Sequence, residues 1–524
     1  MAFVAARNFP RLPLIVCLGL FACVTGWSAI AAAAVDNDPI APVRAPFPIP
    51  QFSRPTFPDR VFNIRDYGAV ADGSTKNTAA IERAIAACAD AGGGRVLVPA
   101  GRWFSGPIHL RSKIDLHLAE GAEVIFSDHP EDYMPVVLVR VGGVELYNYS
   151  PFIYARDCVD VAITGPGRLN GNAAAWRSWQ KHETSEIFKL ALQGIPVEQR
   201  IFGTPEAAIR PNFVVLMNCR HVLLEGFTIG NGANWTIQPV YCENVLIRRV
   251  SVITDGPNND GIDPDSCRNV LIEHCTFDTG DDCVVLKSGY NEDGWRVARP
   301  MENLVMRWCS SKRGHGGLVI GSETSGDVRN VYVHDCNFEG TDRAVRIKSK
   351  RGRGGIVENV WAENLTVRDL KHEVVIMNMG YGADRNQTAT ERPPRFRNFH
   401  FRNLSGRGAT AAVLLQGLPD SPIEAVSFDH LNITSHRGII ATDVKGLAFA
   451  NVNVTPEQGP VFELNQASFV TIRGATIPPE HDAVFLKLSG KDSSAVYVER
   501  GGLDSTVFKS VIGKEVQADA LIIR

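Results

Sequence analysis

The chain has 524 residues, 44% of them hydrophobic and 21% charged, with 54 basic against 57 acidic side chains and a formal net charge of -3. This composition excludes an intrinsically disordered chain. It also excludes a polytopic membrane protein, because only one long apolar stretch is present. A general nucleic-acid binder is excluded as well, because it would need an excess of basic residues. The 47 glycines and 30 prolines favour a turn-rich β protein.

Residues 1–34 have the layout of a secretory signal peptide. Arg7 and Arg11 precede an apolar run at 12–23, and four alanines at 31–34 offer a small-residue cleavage site. Because Cys23 ends a Leu-Phe-Ala-Cys sequence that loosely resembles a bacterial lipobox, a lipid-anchored form is the alternative. We predict a secreted or periplasmic protein that has no stable membrane association after the signal is cleaved.

Two features follow the signal before the main body of the chain. Residues 35–58 are rich in proline and predict a linker, or an extended arm laid on the body. Ala, Ile and Cys at helical spacing over 78–91, followed by three glycines at 92–94, predict one helix. A single helix near the start of a strand-rich chain is what a capping element would look like. We assign residues 59–524 to one domain.

The rest of the chain repeats the pattern Asn-Val-x-Ile-x-x-Cys/Val-x-Phe/Val. Copies begin at His221, Asn244, Asn269, Asn303 and Asn330, and degenerate copies follow at Asn359, Asn398, Ala425, Gly446 and Ser468. Each copy predicts two short alternating strands separated by a polar corner. Units about 21–39 residues apart that are too small to bury their own apolar face must stack on one another.

Stacking of these units predicts an all-β, single-domain, right-handed parallel β-helix with an N-terminal capping helix. Leucine-rich repeats are the main alternative, but they would need helical stretches between the strands. Cys275, Cys309 and Cys336 take the same apolar place in their copies, so we expect buried thiols rather than a zinc site. The recurring asparagine is expected to bond the backbone at its turn.

Two acidic clusters interrupt the repeat where neighbouring copies keep ordinary turns. Asn-Asn-Asp at 258–260 and Gly-Asp-Asp at 280–282 fall in register on adjacent coils, where equivalent positions lie about 4.8 Å apart. Asp260, Asp281 and Asp282 should therefore converge. Their repulsion should raise at least one pKa and keep a proton available, as acid/base cleavage of a glycosidic bond requires.

Turn formation and calcium binding remain alternative roles for the acidic clusters. Asp-Asp and Asn-Asp pairs are common turn residues. Asp263 and Asp265 lie close by in the sequence, so the same stretch could also supply carboxylates to a calcium ion.

A histidine and a basic row follow on the next two coils. His315 lies between glycines at 314 and 316, on the stripe of the aspartates, where it could hydrogen-bond a carboxylate or a sugar. Strand alternation places Arg346 and Lys348 on one face, and Arg351 and Arg353 would extend the patch. Such a row indicates an anionic ligand, with a solvated face as the alternative.

In order and spacing, the four clusters resemble the signatures of the polygalacturonase family, family 28 of the glycoside hydrolases, namely Asn-Thr-Asp, Gly-Asp-Asp, Gly-His-Gly and Arg-Ile-Lys. The one departure is Asn259 in place of threonine, at a position with no assigned chemical role. The similarity extends from about residue 62 to the C-terminal coils, and the turn at 165–171 is also similar to the family's early turn.

The resemblance implies a role for each catalytic residue. Asp281 would be the general acid that protonates the glycosidic oxygen. Asp260 and Asp282 would activate the water, with inversion at the anomeric carbon. His315 would support the protonation of the acid.

The resemblance also implies how substrate is held. Arg346 and Lys348 would bind galacturonate carboxylates, Asn258 would line the cleft, and Tyr381 would contact the substrate. It implies no metal and no organic cofactor. The expected partner is an anionic pectic polysaccharide or oligogalacturonide, bound by a monomer that binds no nucleic acid.

These features predict a secreted hydrolase of the α-1,4-galacturonosidic bonds of polygalacturonate or pectin that attacks chain ends. Insertions at 176–212, 288–299 and 384–395 could close one end of a cleft, and stretches at 256–266 and 316–323 are similar to bacterial exo-acting members. The alternatives are an endo-polygalacturonase, a hydrolase of rhamnogalacturonan or substituted pectin, a calcium-dependent pectate lyase, and a non-catalytic carbohydrate-binding β-helix.

Overall fold

The computed structural model describes residues 38–182, 185–207, 209–382, 392–476, 484–499 and 508–524. The predicted signal at 1–34 lies outside these residues. No helix among the described residues is long and apolar enough to cross a membrane.

Helices are few within the described part of the chain. The α-helices are α1 (Thr78–Asp90), α2 (Ser185–Leu192) and α3 (Asn291–Val297), and 3-10 helices lie at Ile64–Tyr67, Pro130–Tyr133, Ala173–His182 and Val197–Gln199. The predicted helix at 78–91 is confirmed, and it buries Ile81, Ile85 and Cys88 against the first strands.

The strands of the first half, in chain order, are β1 (Val61–Asn63), β2 (Gly94–Val98), β3 (Gly101–Ser105), β4 (Ile108–His109), β5 (Ile114–Leu118), β6 (Ala122–Phe126), β7 (Val137–Val141), β8 (Val144–Asn148), β9 (Ile153–Arg156), β10 (Val159–Thr164), β11 (Arg168–Asn170), β12 (Val214–Met217), β13 (Arg220–Glu225), β14 (Thr228–Gly230), β15 (Ile237–Val240), β16 (Glu243–Arg248) and β17 (Ser251–Ile253).

The strands of the second half are β18 (Arg268–Glu273), β19 (Thr276–Asp278), β20 (Val284–Leu286), β21 (Met301–Arg307), β22 (Ser310–Arg313), β23 (Leu318–Ile320), β24 (Val328–Glu339), β25 (Val345–Lys348), β26 (Ile356–Arg368), β27 (Glu373–Asn378), β28 (Arg395–Gln416), β29 (Ile423–Pro456), β30 (Phe462–Arg473), β31 (Leu486–Ser489), β32 (Ser494–Val498), β33 (Ser510–Ile512) and β34 (Leu521–Ile523).

The strands stack coil on coil in parallel ladders. One ladder runs through β13, β16, β18, β21, β24 and β26, with Leu224 opposite Ile247, Ile247 opposite Ile272, and so on. A second ladder runs through β20, β23, β25 and β27. Only β7 and β8 pair antiparallel among the described strands that form ladders. The predicted right-handed parallel β-helix is confirmed.

The polar corners of the repeat are single residues in the left-handed conformation. Between β18 and β19, His274 has a φ of 55°. The recurring asparagine takes this conformation as well, but it does not bond the backbone as predicted. Instead the side chains form a ladder, in which Nδ2 of Asn303 donates to Oδ1 of Asn269 at 3.1 Å and Nδ2 of Asn330 donates to Oδ1 of Asn303 at 3.0 Å. Each coil therefore satisfies the amide of its neighbour.

The inward positions form one continuous apolar core. Phe401, Phe428 and Phe449 stack with ring centroids 4.7 and 5.4 Å apart. The nine cysteines beyond the predicted signal are all free and buried, as expected of small apolar side chains in such ladders.

Residues 39–57 lie along the outer face of the ladder that contains β18. Val43 and Phe47 are buried among the outward side chains of Leu246, Leu271 and Val305. The segment is also held by polar contacts at both ends. Nη2 of Arg307 donates to the carbonyl of Ala41 at 2.7 Å, and Nε of Arg54 lies 2.7 Å from Glu225. We call residues 39–57 the arm.

Candidate active site

The predicted site residues lie on one ladder and on the turns that precede its strands. Asp281 and Asp282 precede β20, His315 precedes β23, and Arg346 and Lys348 belong to β25. Asp260 lies on the coil before β20. The turns stack in register, since the N–H of Gly261 donates to the carbonyl of Asp282 at 2.9 Å and the N–H of Cys283 donates to the carbonyl of Gly316 at 2.9 Å. Stacking therefore brings the four separated clusters together.

The glycine before His315 is required by close packing of adjacent turns. Gly314 has a φ of 150°, and a Cβ there would lie 2.6 Å from Cys283 Sγ and 2.9 Å from the carbonyl oxygen of Asp281. Only glycine lets the two turns approach this closely. The result is that His315 is held directly over the Asp281 turn.

Asp281 and His315 form a hydrogen-bonded pair, with Nδ1 of the imidazole 2.9 Å from Oδ1 of the carboxylate. Burial alone would raise the pKa of Asp281, but the hydrogen bond and charge of His315 lower it to about 2. The same hydrogen bond raises the pKa of His315 above its ordinary value. In the free site the proton of this pair therefore lies on the imidazole and not on Asp281.

Asp282 is held by both members of the basic row. Nζ of Lys348 donates to Oδ2 at 2.8 Å, and Nη1 of Arg346 lies 3.5 Å from Oδ1. Asp282 is 1% exposed, so these contacts balance a buried negative charge. The side chains predicted to bind a substrate carboxylate already face a carboxylate of the protein.

Asp260 lies in a different electrostatic environment. Its carboxyl group is buried, and burial together with the negative charges of Asp281 and Asp263 raises its pKa well above the ordinary value. The expected raised pKa among the converging acids thus falls on Asp260 and not on Asp281.

Asn258 and Tyr381 complete the predicted set. Oδ1 of Asn258 accepts from Nη2 of Arg210 at 3.0 Å. The ring of Tyr381 lies 5.4 Å from the guanidinium of Arg346 and 5.2 Å from Nζ of Lys348.

One cavity of about 420 Å³ brings all eight predicted site residues together. Its lining consists of Trp235, Asn258, Asp260, Asp281, Asp282, Lys287, His315, Ser322, Glu323, Asp342, Arg343, Arg346, Lys348 and Tyr381.

Asn259, the one departure from the family pattern, has a structural role. Its Oδ1 accepts from the N–H of Gly256 at 3.0 Å, and its Nδ2 donates to the carbonyls of Gly232 at 3.2 Å and Asn234 at 3.0 Å. The buried amide therefore closes the turn that presents Asp260.

The predicted extension of the basic patch is wrong. Arg351 and Arg353 are both buried, Arg351 pairs with Asp420, and Arg353 donates to Asn291 Oδ1 at 2.8 Å. Their charges hold loops in place.

The carboxylates of the calcium alternative already face cations of the protein. Nη1 of Arg140 lies 2.9 Å from Asp265 Oδ1, and Nζ of Lys287 lies 4.0 Å from Asp263 Oδ1. Asp281, Asp282 and His315 offer ligand atoms within 4.8 Å of one another, but this set coincides with the ion pairs described above.

Six residues of the cavity lining were not predicted as site residues, and Trp235, Lys287 and Glu323 are three of them. Nζ of Lys287 lies 4.2 Å from the centre of the Trp235 ring and 3.2 Å from Glu323 Oε2. The feature of the sequence that could have indicated Lys287 is its position, since it lies at an outward position just after β20, in the coil that contains Asp281 and Asp282. Its partners come from two other coils, which no local pattern connects.

The sequence model of the family described as glycosyl hydrolases family 28 matches residues 88–455. The chain belongs to this family. The resemblance inferred from the four clusters is confirmed, and this family 28 protein is a glycoside hydrolase.

Relatives of this family 28 protein cover most of its length. It is 30% identical to a "Probable polygalacturonase" of Vitis vinifera over 76% of this chain and 81% of the relative. It is 27% identical to an "Exo-poly-alpha-D-galacturonosidase" of Dickeya chrysanthemi over 80% of this chain and 75% of the relative. The solved structure of a hyperthermoactive exopolygalacturonase from Thermotoga maritima matches with 39% identity and a TM-score of 0.74, over 77% of this chain and 94% of that one.

Proposed function

We propose that this enzyme hydrolyses the α-1,4-galacturonosidic bonds of polygalacturonate or pectin. The observation that carries the proposal is the joining, in one cavity of about 420 Å³, of a hydrogen-bonded Asp281–His315 pair with Arg346 and Lys348. An acid/base pair suits cleavage of a glycosidic bond, and the two cations suit the carboxylate of a uronic acid. The names of the relatives support the same substrate class.

The proton follows a short path in this proposal. The imidazolium of His315 gives its Nδ1 proton to Oδ1 of Asp281, and Asp281 passes it to the glycosidic oxygen as that bond breaks. A water molecule attacks the anomeric carbon and loses a proton to Asp282 or Asp260. That carboxylate later releases the proton to solvent and the imidazole recovers one, so the enzyme ends as it began.

We propose inversion of the anomeric configuration. Retaining enzymes use one carboxylate as a nucleophile at about 5–5.5 Å from the acid, whereas inverting pairs stand about 6.5–9.5 Å apart. A carboxylate oxygen of Asp281 lies within 4.8 Å of a carboxylate oxygen of Asp282, and this short distance favours retention on spacing alone. However, Lys348 and Arg346 face both oxygens of Asp282, which makes this carboxylate a poor nucleophile. Asp260 lies in the same cavity and offers a further carboxyl group that can accept the proton of an attacking water.

The surroundings of the cavity support attack at a chain end. Strands β7 and β8 and helices α2 and α3 lie beside the coils that precede Asp260, with the rings of Phe188 and Tyr290 stacked at 4.0 Å. Gln238, an outward position of β15, donates through Nε2 to the carbonyl of Arg140 at 3.0 Å. The outward face of the ladder is thus covered on this side, and we expect this cover to block the passage of a polymer.

Two of the three insertions noted in the sequence contribute to this cover, since α2 lies in 176–212 and α3 in 288–299. The third, at 384–395, falls mostly outside the described residues.

Digestion of polygalacturonate should release short products from chain ends while viscosity falls slowly, because a covered groove admits only a terminus. The first product should appear as the β-anomer in proton NMR, since inversion of an α-bond gives β. The products should not absorb in the ultraviolet, and EDTA should not slow their release.

Each alternative has its own outcome in this assay. Rapid thinning early in digestion would indicate an endo-acting enzyme, an initial α-anomer would indicate retention, and ultraviolet absorbance with EDTA sensitivity would indicate a lyase. A panel of defined oligosaccharides tests the substrate: cleavage of rhamnogalacturonan alone would overturn the proposal.

His315→Gln should shift the alkaline limb of the pH profile of kcat/KM to lower pH and reduce kcat at neutral pH by about tenfold. In the wild type the pair keeps its proton up to the raised pKa of His315. Without the imidazole, the proton must stay on Asp281 itself, and the ordinary pKa of a carboxylic acid is lower than that of an imidazole. His436→Gln, which changes a half-exposed histidine paired with Glu457, should leave the profile unchanged. An unshifted limb in His315→Gln would exclude the imidazole from the proton path.

We also propose that residues 1–34 direct export and that the mature enzyme is secreted or periplasmic. The charged start, the apolar run and the small residues at 31–34 support this. Amino-terminal sequencing of the protein recovered outside the cytoplasm tests it, with a start near residue 35 expected.

A further inference from the structure

Lys287 is a buried cation for which the proton path above has no role. It follows β20, points outward from the ladder and is 4% exposed. Its ammonium lies 4.2 Å from the centre of the Trp235 ring, and such a contact fixes and stabilises a desolvated cation. The side chain is therefore held in one position at the inner wall of the cavity.

Carboxyl groups from neighbouring coils face this ammonium. Nζ lies 3.2 Å from Glu323 Oε2, and it lies 4.0 Å from both Asp260 Oδ2 and Asp263 Oδ1. The single positive charge of Lys287 is shared among these three carboxyl groups, so it cannot neutralise all of them as anions. The charged groups that act on Lys287 or on its immediate partners are Asp260, Asp263, Asp265, Asp281, Asp282, Glu323, Lys348 and Arg353.

The carboxyl oxygens of Asp260 and Asp263 have few other hydrogen-bond donors within reach. The two residues are 3% and 0% exposed. No N–H or O–H donor among the described residues reaches either oxygen of Asp263 or Oδ1 of Asp260. Two adjacent buried carboxylates without donors are costly, and a shared proton relieves both the repulsion and the unmet hydrogen bonding. Burial and mutual repulsion raise the pKa of both groups.

We propose that Lys287 is a positioning residue of the hydrolytic site, which, clamped between Trp235 and Glu323, keeps the Asp260–Asp263 pair at a single negative charge. A pair with one proton and one charge leaves Asp260 able to accept the proton of the attacking water. Without the ammonium, the pair would bind a second proton and Asp260 would lose this ability. The inference rests on the proposed role of Asp260 in activating water.

Two substitutions should shift the acid limb of the kcat/KM profile in opposite directions. Lys287→Met removes the cation that favours the charged form, so the limb should move to higher pH by about one unit or more. Asp263→Asn removes the neighbouring negative charge, so the limb should move to lower pH by a similar amount. At neutral pH, kcat of Lys287→Met should fall about tenfold while KM stays within about threefold.

Controls separate this role from a purely structural one. Lys287→Arg should keep the wild-type limb, and Lys487→Met, at an outward position of β31 where it pairs with Glu463, should change nothing. Opposite shifts of the limb cannot arise from a general loss of packing. If both variants keep the wild-type limb, or if both shift it the same way, the inference is wrong.

A second measurement needs no substrate. Because the folded pair keeps a proton that the unfolded chain has lost, Tm should fall as pH rises above the ordinary aspartate range. The fall should be steeper in Lys287→Met and shallower in Asp263→Asn. A wild type that folds but does not cleave polygalacturonate would refute the proposed function, whereas identical Tm profiles in all three proteins would refute the role of Lys287.

Discussion

Replacing Asp281 with asparagine should lower kcat on polygalacturonate by about 10³-fold and leave KM within about threefold. The amide has the shape of the carboxyl group and can still hydrogen-bond Nδ1 of His315, which lies 2.9 Å from the carboxylate. It cannot take a proton from the imidazole and pass it to the glycosidic oxygen. The loss should therefore fall on the chemical step and not on binding. Initial rates across a range of substrate concentrations measure both constants.

The matched control is Asp369→Asn, which changes an aspartate whose side chain is 71% exposed and should leave both constants unchanged. Binding of oligogalacturonate to Asp281→Asn, measured by calorimetry, should persist. If Asp281→Asn kept more than about a tenth of the wild-type kcat, Asp281 would not be the general acid. Binding with no cleavage even by the wild type would indicate a carbohydrate-binding protein.

Replacing Lys348 with methionine should lower kcat by about 10²-fold and the free energy of unfolding by about 3 kcal/mol, because it leaves a buried carboxylate without its main partner. Asp282 is 1% exposed and would keep only Arg346, at 3.5 Å. A carboxylate in that position is driven to take up a proton, and it then no longer accepts one from water. Denaturant unfolding and steady-state rates on the same preparation measure the two effects.

Two companion variants identify the cause. Lys348→Arg should retain most of the stability, since it keeps the charge. Adding Asp282→Asn to Lys348→Met should recover part of the lost stability but none of the activity, because the unpaired charge is then gone. Equal stability of Lys348→Met and the wild type would show that the pair at 2.8 Å contributes nothing to folding.

The fold could be predicted because each coil repeats the same short-range pattern. Inward residues such as Ile247 and Ile272 recur at the same place in successive copies, and a parallel solenoid is what stacks them. The asparagine ladder could not be predicted in detail, since a single copy shows the residue but not its partner. Whether Asn303 bonds its own turn or Asn269 depends on the distance between coils.

Most of the candidate site could also be predicted, because residues at equivalent positions of successive coils lie next to one another in a parallel solenoid. Asp281 and His315 meet for this reason. The sequence could not predict which group of the acidic cluster holds a proton. That depends on which carboxyl group is buried and which one accepts a hydrogen bond from a neighbouring side chain such as His315. Lys287 was missed because Trp235 and Glu323 approach it from other coils, where the sequence shows no motif.

The arm has a consequence for the order in which the molecule assembles. It leaves the ribosome before all the coils it touches, and Pro42 meets Arg307 across a separation of 265 residues. Phe47 meets Trp361, 5.7 Å away, still later in the chain. The arm can therefore dock only after these coils have stacked, so its docking is a late step of folding. Until then the apolar side chains of the arm, Val43 and Phe47 among them, lack the outward residues that bury them in the folded protein.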